Sequence, residues 1–140
     1  MADVGTSIRQ YIVSKASVNS LISSRMYPDE LPQNAMIPAV IYRRIATSHF
    51  ETIEGSKAGL AQATIEVTCF AVSRQSVNEL CEAIRLCGIL DIQGVTNGVN
   101  IRSTRLVGGR RDYTDPPIDG THQLRYVAGQ DYLLTYVEEV

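Results

Sequence analysis

From Leu60 to Val72 the chain alternates with period two: Ile65, Val67, Cys69 and Ala71 interleave with Gln62, Thr64, Glu66 and Thr68. Successive side chains of a strand point to opposite sides, so this pattern places one face on a core and the other toward polar surroundings. The period then changes at once. Val77, Leu80, Cys81, Ile84 and Cys87 recur three or four residues apart, with Gln75, Asn78, Glu79, Glu82 and Arg85 on the opposite side. That is an amphipathic helix, with Ser73 or Ser76 as its cap and Gly88 as a left-handed stop. The apolar stripe of the helix matches the apolar face of the strand, so the two are expected to pack together.

The other segments are arranged around this unit. Val4, Ile8, Tyr11 and Ile12 predict a short first helix, with Thr6 or Ser7 near its start. Ser17 is placed to cap a further turn or two carrying Val18, Leu21 and Ile22. Pro28, Pro32 and Pro38 then exclude helix, because each lacks an amide hydrogen and biases its predecessor toward extended geometry. Residues 24–37 read as an extended connector. Ala39 to Ala46 holds Val40, Ile41, Tyr42 and Ile45 and reads as a strand, and the polar Thr47 to Ala58, with Gly55, as a hairpin tip. Gly94 to Gly98 is rich in turn residues. Val99 to Val107 and the long Leu124 to Val137 predict two more strands, with Gly129 bending or bulging the last. Between them Gly108 to His122 (GGRRDYTDPPIDGTH) has no regular pattern and, at about fifteen residues, exceeds the ~4 to 6 of an ordinary connection. It reads as an interaction loop or a mobile one. The expected fold is α+β, a mainly antiparallel four- to five-stranded sheet with two helices packed on one face. No internal repeat or linker divides the 140 residues, so a single domain over 1–140 is expected.

Function classes are narrowed mainly by exclusion. Thirteen basic against fifteen acidic residues give a net charge of −2, which offers no global case for coating nucleic acid. The three cysteines, Cys69, Cys81 and Cys87, are odd in number and lie inside apolar patterns, as reduced core residues do. Cys81 and Cys87 are too far apart for the usual zinc-ligand pair, so no metal is expected. His49, even with Glu51 beside it, has no activated nucleophile at a definable position, and both it and His122 read as solvated loop residues. Gly55, Ser56, Lys57, Ala58 and Gly59 lead into a strand instead of opening a helix, so their amides would not converge on a phosphate. No cationic stretch followed by an apolar run opens the chain, and no run of about eighteen apolar residues occurs, so neither a signal peptide nor a membrane span is expected. The expectation is a protein that is not an enzyme, carries no cofactor and contacts no membrane. Two arginine pairs remain, Arg43 with Arg44 and Arg110 with Arg111, the second beside Tyr113. They suit phosphate, but Asp112, Asp115 and Asp119 dilute the second pair, and arginine with tyrosine is an enriched protein-interface pairing.

One ordered set of residues is familiar. Arg25, Met26, Tyr27 and Pro28 precede Leu31, Pro32 and Gln33, and then Ile37, Pro38, Ala39, Val40, Ile41 and Tyr42. With the alternating Ala63 to Ala71, the Ala83, Ile84, Arg85 segment, the Arg111, Asp112, Tyr113 run and the late Asp131, Tyr132, the chain resembles the tail-completion family of long-tailed bacteriophages. The resemblance spans nearly the whole chain. It implies a tail terminator, or tail-to-head joining protein: a small α+β subunit forming a ring, typically a hexamer, that caps the tail tube and ends its polymerisation. The implied partners are further copies of the chain, the tail tube protein and the head connector or head-closure protein, with double-stranded DNA passing through the lumen. The implied location is the tail or neck of a virion assembled in the cytoplasm of a bacterial host. The alternative is a head-closure or other neck ring protein of the same virion. A ring closed by unlike contacts needs two different patches on each subunit. The expected patches are the tip with His49, Phe50 and Glu51, and the loop with Arg110, Arg111, Asp112, Tyr113 and Asp115.

Overall fold

The computed structural model describes residues 3–32, 35–51, 57–115 and 125–137. Its elements run α1 (Val4–Val13), α2 (Ala16–Ile22), β1 (Met26–Pro28), β2 (Ala39–Glu51), β3 (Lys57–Ala71), α3 (Arg74–Arg85), a 3-10 turn (Ile89–Asp91), β4 (Gly94–Thr96), β5 (Val99–Asp115) and β6 (Arg125–Val137). The strands form one six-stranded sheet in the order β1-β2-β3-β6-β5-β4. β1 runs parallel to β2, and every other pairing is antiparallel.

The alternation in β3 becomes the central strand of the core. Ala61, Ala63, Ile65, Val67, Cys69 and Ala71 are buried on the face that carries the helices. Across β6 they meet Tyr136, Leu134, Tyr132, Gln130, Ala128 and Tyr126. α3 packs on β3 and β6 through Val77, Leu80, Cys81 and Ile84. α1 packs against β2 and the 3-10 turn, and α2 lies against α1 and α3. The cysteines are free: Cys69 and Cys81 are buried, and Cys87 is half-buried. The Cys69 and Cys81 thiols are joined by a hydrogen bond, which pushes Cys69 up, helped by burial, and holds Cys81 below the ordinary thiol value.

Caps set the helix starts. Ser73 has extended backbone geometry, and its Oγ accepts from the Ser76 amide at 3.1 Å, which satisfies one of the unpaired donors of α3's first turn. Ser73→Ala should lower stability by about 1 kcal/mol, read as a reduced denaturation midpoint at unchanged slope. α1 is capped by Asp3, whose side chain accepts from the Thr6 amide. Thr6 and Ser7 lie near its start, as expected, but within the helix: Ser7 is buried and donates to the Thr96 carbonyl at 2.6 Å.

Several expectations are corrected. The sheet has six strands and is mixed, not four or five and mainly antiparallel, and three α-helices cover its face instead of two. The extra strands are short: β1 and β4 have three residues each, too few for alternation to register, and β1 contains Pro28. β1 also occupies part of what reads as a connector, and it places Tyr27 beside Ile41 of β2. The third helix, α2, has seven residues and no side-chain cap. β4 returns to β5 through Asn97 and Gly98, at φ 48 and 87, the two-residue hairpin turn that needs positive φ at both positions.

Neither irregular patch keeps the bounds read from the sequence. Thr47 to His49 and Glu51 continue β2 and pair with β3, and Lys57 and Ala58 already belong to β3. Gly108 to Asp115 lies in β5, paired with β6 from Arg111 onward. The rest of both segments, 52–56 and 116–124, with His122, lies outside the described residues.

Candidate assembly surface

β5 stays in the sheet through a glycine-rich stretch because a bulge absorbs the excess. Val107 faces Asp131 and Arg111 faces Gly129, so four steps along β5 oppose two along β6. Gly108, Gly109 and Arg110 fill the surplus, with Gly108 at φ 70, a conformation glycine adopts without strain. The irregularity expected in the last strand falls on its neighbour. At Gly129 the need is for space, since a Cβ there would stand 3.1 Å from the Arg111 guanidinium and 3.6 Å from Thr68 Oγ1. Its missing side chain makes room for Arg111.

The bulge turns Arg110 and Arg111 to different neighbours. Arg110 donates to Asp112 at 2.9 Å and to Asn78 of α3, and it lies 4.0 Å from Glu82. Arg74, at the start of α3, reaches Asp112 at 3.4 Å and the carbonyls of Tyr113 and Val127 at 3.0 and 3.2 Å. β5 is thus clamped to α3 by two arginines. Glu82 is held below the ordinary carboxylate range by its hydrogen bonds from Arg85, with the charge of Arg110 adding to the effect.

Arg111 points to the helix-free face. It binds Asp131 at 2.9 Å and Glu66 at 3.3 Å, and Glu66 also accepts from Arg43 at 2.7 Å. The hydrogen bond with Asp131 raises Arg111's affinity for its proton. Register explains the row, because Arg43 is opposite Glu66 and Glu66 is opposite Asp131 on adjacent strands. Four charges therefore cross the sheet on β2, β3, β6 and β5, with the carboxylates of Glu66 and Asp131 side by side between Arg43 and Arg111. Sequence reasoning misses Glu66 and Asp131, since each reads as one polar residue of an alternating strand; only the register brings them together. Arg44 is paired as well, with Asp3. The arginine pairs that suited phosphate are thus occupied by carboxylates.

The two expected patches lie apart. His49 is opposite Ala61, and Ala61 opposite Tyr136, near the β2–β3 hairpin; Arg111 is level with Thr68 toward the other end. That separation is on the order of 20 Å along the strands at ~3.3 Å per residue. The patches also occupy opposite sides of β3 and β6. His49, Phe50 and Glu51 belong to β2, and Arg110 to Asp115 belong to β5. His49 is exposed, Tyr113 is 51% exposed, and Asp115 stands opposite Arg125 in the ladder. Among the described residues, β1 covers the outer side of β2 only at Val40 to Tyr42, and β4 covers β5 only at Val99 to Ile101. The remainder of both long strands presents open backbone edges, of the kind that recruit other chains.

Among the described residues no group of three or more His, Cys, Asp or Glu side chains is placed to hold a metal ion, and no helix is long and apolar enough to cross a membrane. Chemically, the surface offers guanidinium forks, carboxylates, one exposed tyrosine and strand edges, which are groups for contact.

No protein-family model matches the chain, and no curated protein matches it. Among solved structures it is similar to a chain of the virion of a native gene transfer agent (GTA) particle. The two share 10% sequence identity and a TM-score of 0.62 over 95% of this chain and 94% of the other. The fold is therefore shared from end to end with a chain found in a virion.

Proposed function

We propose that the protein is a structural component of a phage-like virion, and within it a tail terminator that acts by assembly and not by catalysis. The observation that carries the reading is the end-to-end likeness to a virion chain. The resemblance of its ordered motifs to those of the tail-completion family supports the finer reading of a position at the end of the tail. Six or so copies would close into a ring on the finished tail tube, block further addition and present a surface to the head connector. A ring of this kind needs two unlike patches on each subunit, and the opposite margins of the sheet, on the β2 side and on the β5 side, supply them. The net charge of −2 suits a subunit beside passing DNA, since each phosphate it neutralised would add affinity and slow transit.

Deleting the gene and imaging the particles tests this directly. A terminator leaves overlong or unattached tails. Complete tails of correct length beside leaking heads would assign the protein to head closure, and a chain missing from purified wild-type particles would end the structural reading.

A further inference from the structure

The two margins of the sheet carry opposite unpaired charge. Asp29 and Glu30 follow β1 at one margin, where the Asp29 amide donates to the Tyr42 carbonyl of β2 at 2.9 Å. Arg102 and Arg105 lie on β5 at the other margin, just past the last residue that β4 covers. All four side chains are exposed, and none forms an ion pair or side-chain hydrogen bond among the described residues. The other charges nearby are already engaged. Arg43 and Arg44 are paired with Glu66 and Asp3, and Arg9 and Arg25 donate to the carbonyls of Met26, Ser24 and Pro38 at the start of β1.

Arg105 lies near the height of the acidic margin, and Arg102 stands further along β5, between the residues opposite Tyr136 and Thr135. Tyr42 is level with Val67, and Val67 with Gln130, one residue from Asp131, which faces Val107. Arg105 is two residues from Val107, and the two margins are about 20 Å apart at ~4.8 Å per strand. A neighbouring copy set beside this one with its strands in similar orientation would bring its acidic margin to this basic one. The contact joins unlike surfaces and leaves each free on the far side of the next subunit, which a ring requires together with a rotation between neighbours that closes the circle.

We infer that the interface between copies of this chain joins Asp29 and Glu30 of one subunit to Arg102 and Arg105 of the next. The inference rests on the ring reading above and supplies its contact residues. A second copy is the fitting occupant because both halves of the charge match are present on the same chain.

Charge exchange tests it, read by native mass and sedimentation over a concentration series at low salt. The wild-type chain should associate. Asp29→Lys with Glu30→Lys, or Arg102→Glu with Arg105→Glu, should raise the concentration for half-assembly by about tenfold or more, since like charges across an interface suppress association. The four exposed substitutions combined in one chain should restore assembly, and so should an equimolar mixture of the two double variants, where every junction again joins opposite charges. Circular dichroism of each variant should match the wild type. A wild-type chain that stays monomeric throughout, or double variants that assemble like wild type, would overturn the interface. If the double variants still enter particles as wild type does, the interface fails while the virion role stands. If the wild-type chain is absent from particles, the virion role itself fails.

Discussion

A chain carrying Ile65→Asp will not be recovered as a folded protein. Ile65 sits in the middle of β3 between Arg44 on β2 and Tyr132 on β6, fully buried on the helix-covered face. Losing a buried isoleucine of this kind costs about 2 to 5 kcal/mol through lost transfer energy and the cavity left behind. The aspartate then has to be buried charged and unpaired, or protonated at a further cost of several kcal/mol. Domain stability as a whole is about 5 to 15 kcal/mol, so the substitution removes most or all of it. Soluble yield and the cooperativity of thermal unfolding are the measurements. The control is Thr64→Asp, one residue earlier on the half-exposed, helix-free face, which should fold. A soluble, cooperatively melting Ile65→Asp protein would show that the core face of β3 is wrongly assigned.

What the sequence made legible has a common physical cause. β3 and α3 are long enough for their periods to repeat several times, and two serines stand at the start of α3, of which Ser73 is the cap. Burial of one face of the sheet under helices followed from those patterns. The elements that escaped are the ones whose existence depends on a partner. β1 exists because Met26 to Pro28 has Val40 to Tyr42 to bond to, and β4 because an Asn-Gly turn folds Gly94 to Thr96 back on β5. The stretch after Val107 holds two glycines and a string of polar residues, so local preference reads loop; the ladder with β6 overrides it, and the bulge absorbs the mismatch. The candidate surface suffered in the same way. Arg110, Arg111, Asp112 and Tyr113 were legible as a polar cluster, but the sequence is silent on which groups each would face. Three of the four turn out to be engaged within the chain.

That engagement changes what a charge reversal at Arg110 and Arg111 should do. In a solvated loop, the pair could become glutamates with the subunit unaffected and only assembly weakened. In the folded chain a glutamate at 110 would stand beside Asp112 and Glu82, and a glutamate at 111 would join Glu66 and Asp131, whose side chains are 19% and 18% exposed. Two attractive clusters become two repulsive ones. Solvent-exposed pairs contribute roughly 0 to 1 kcal/mol each, and partial burial at Glu66 and Asp131 raises the cost of crowding like charges. A total of about 2 to 4 kcal/mol is expected, seen as a melting temperature lowered by roughly 10 °C with the fold retained. Two signatures separate this from a packing defect. Salt should recover part of the loss, because the repulsion is screened. Acid should narrow the gap, chiefly from the variant's side. In the wild type, Glu82 is held below its ordinary value of 4.5 mainly by Arg85, which the variant keeps; only the smaller stabilisation that Arg110 adds, present above that pH and lost as pH falls through the lower folded value, goes with the substitution. In the variant the crowded carboxylates bind protons more readily when folded than when unfolded, so protonation there favours the folded state. Parallel melting curves of the two proteins from neutral pH down to about 4 measure this. A constant gap across pH and salt would mean that the arginines are not held by carboxylates, and an assembly defect in the double variant would then report on the contact surface alone.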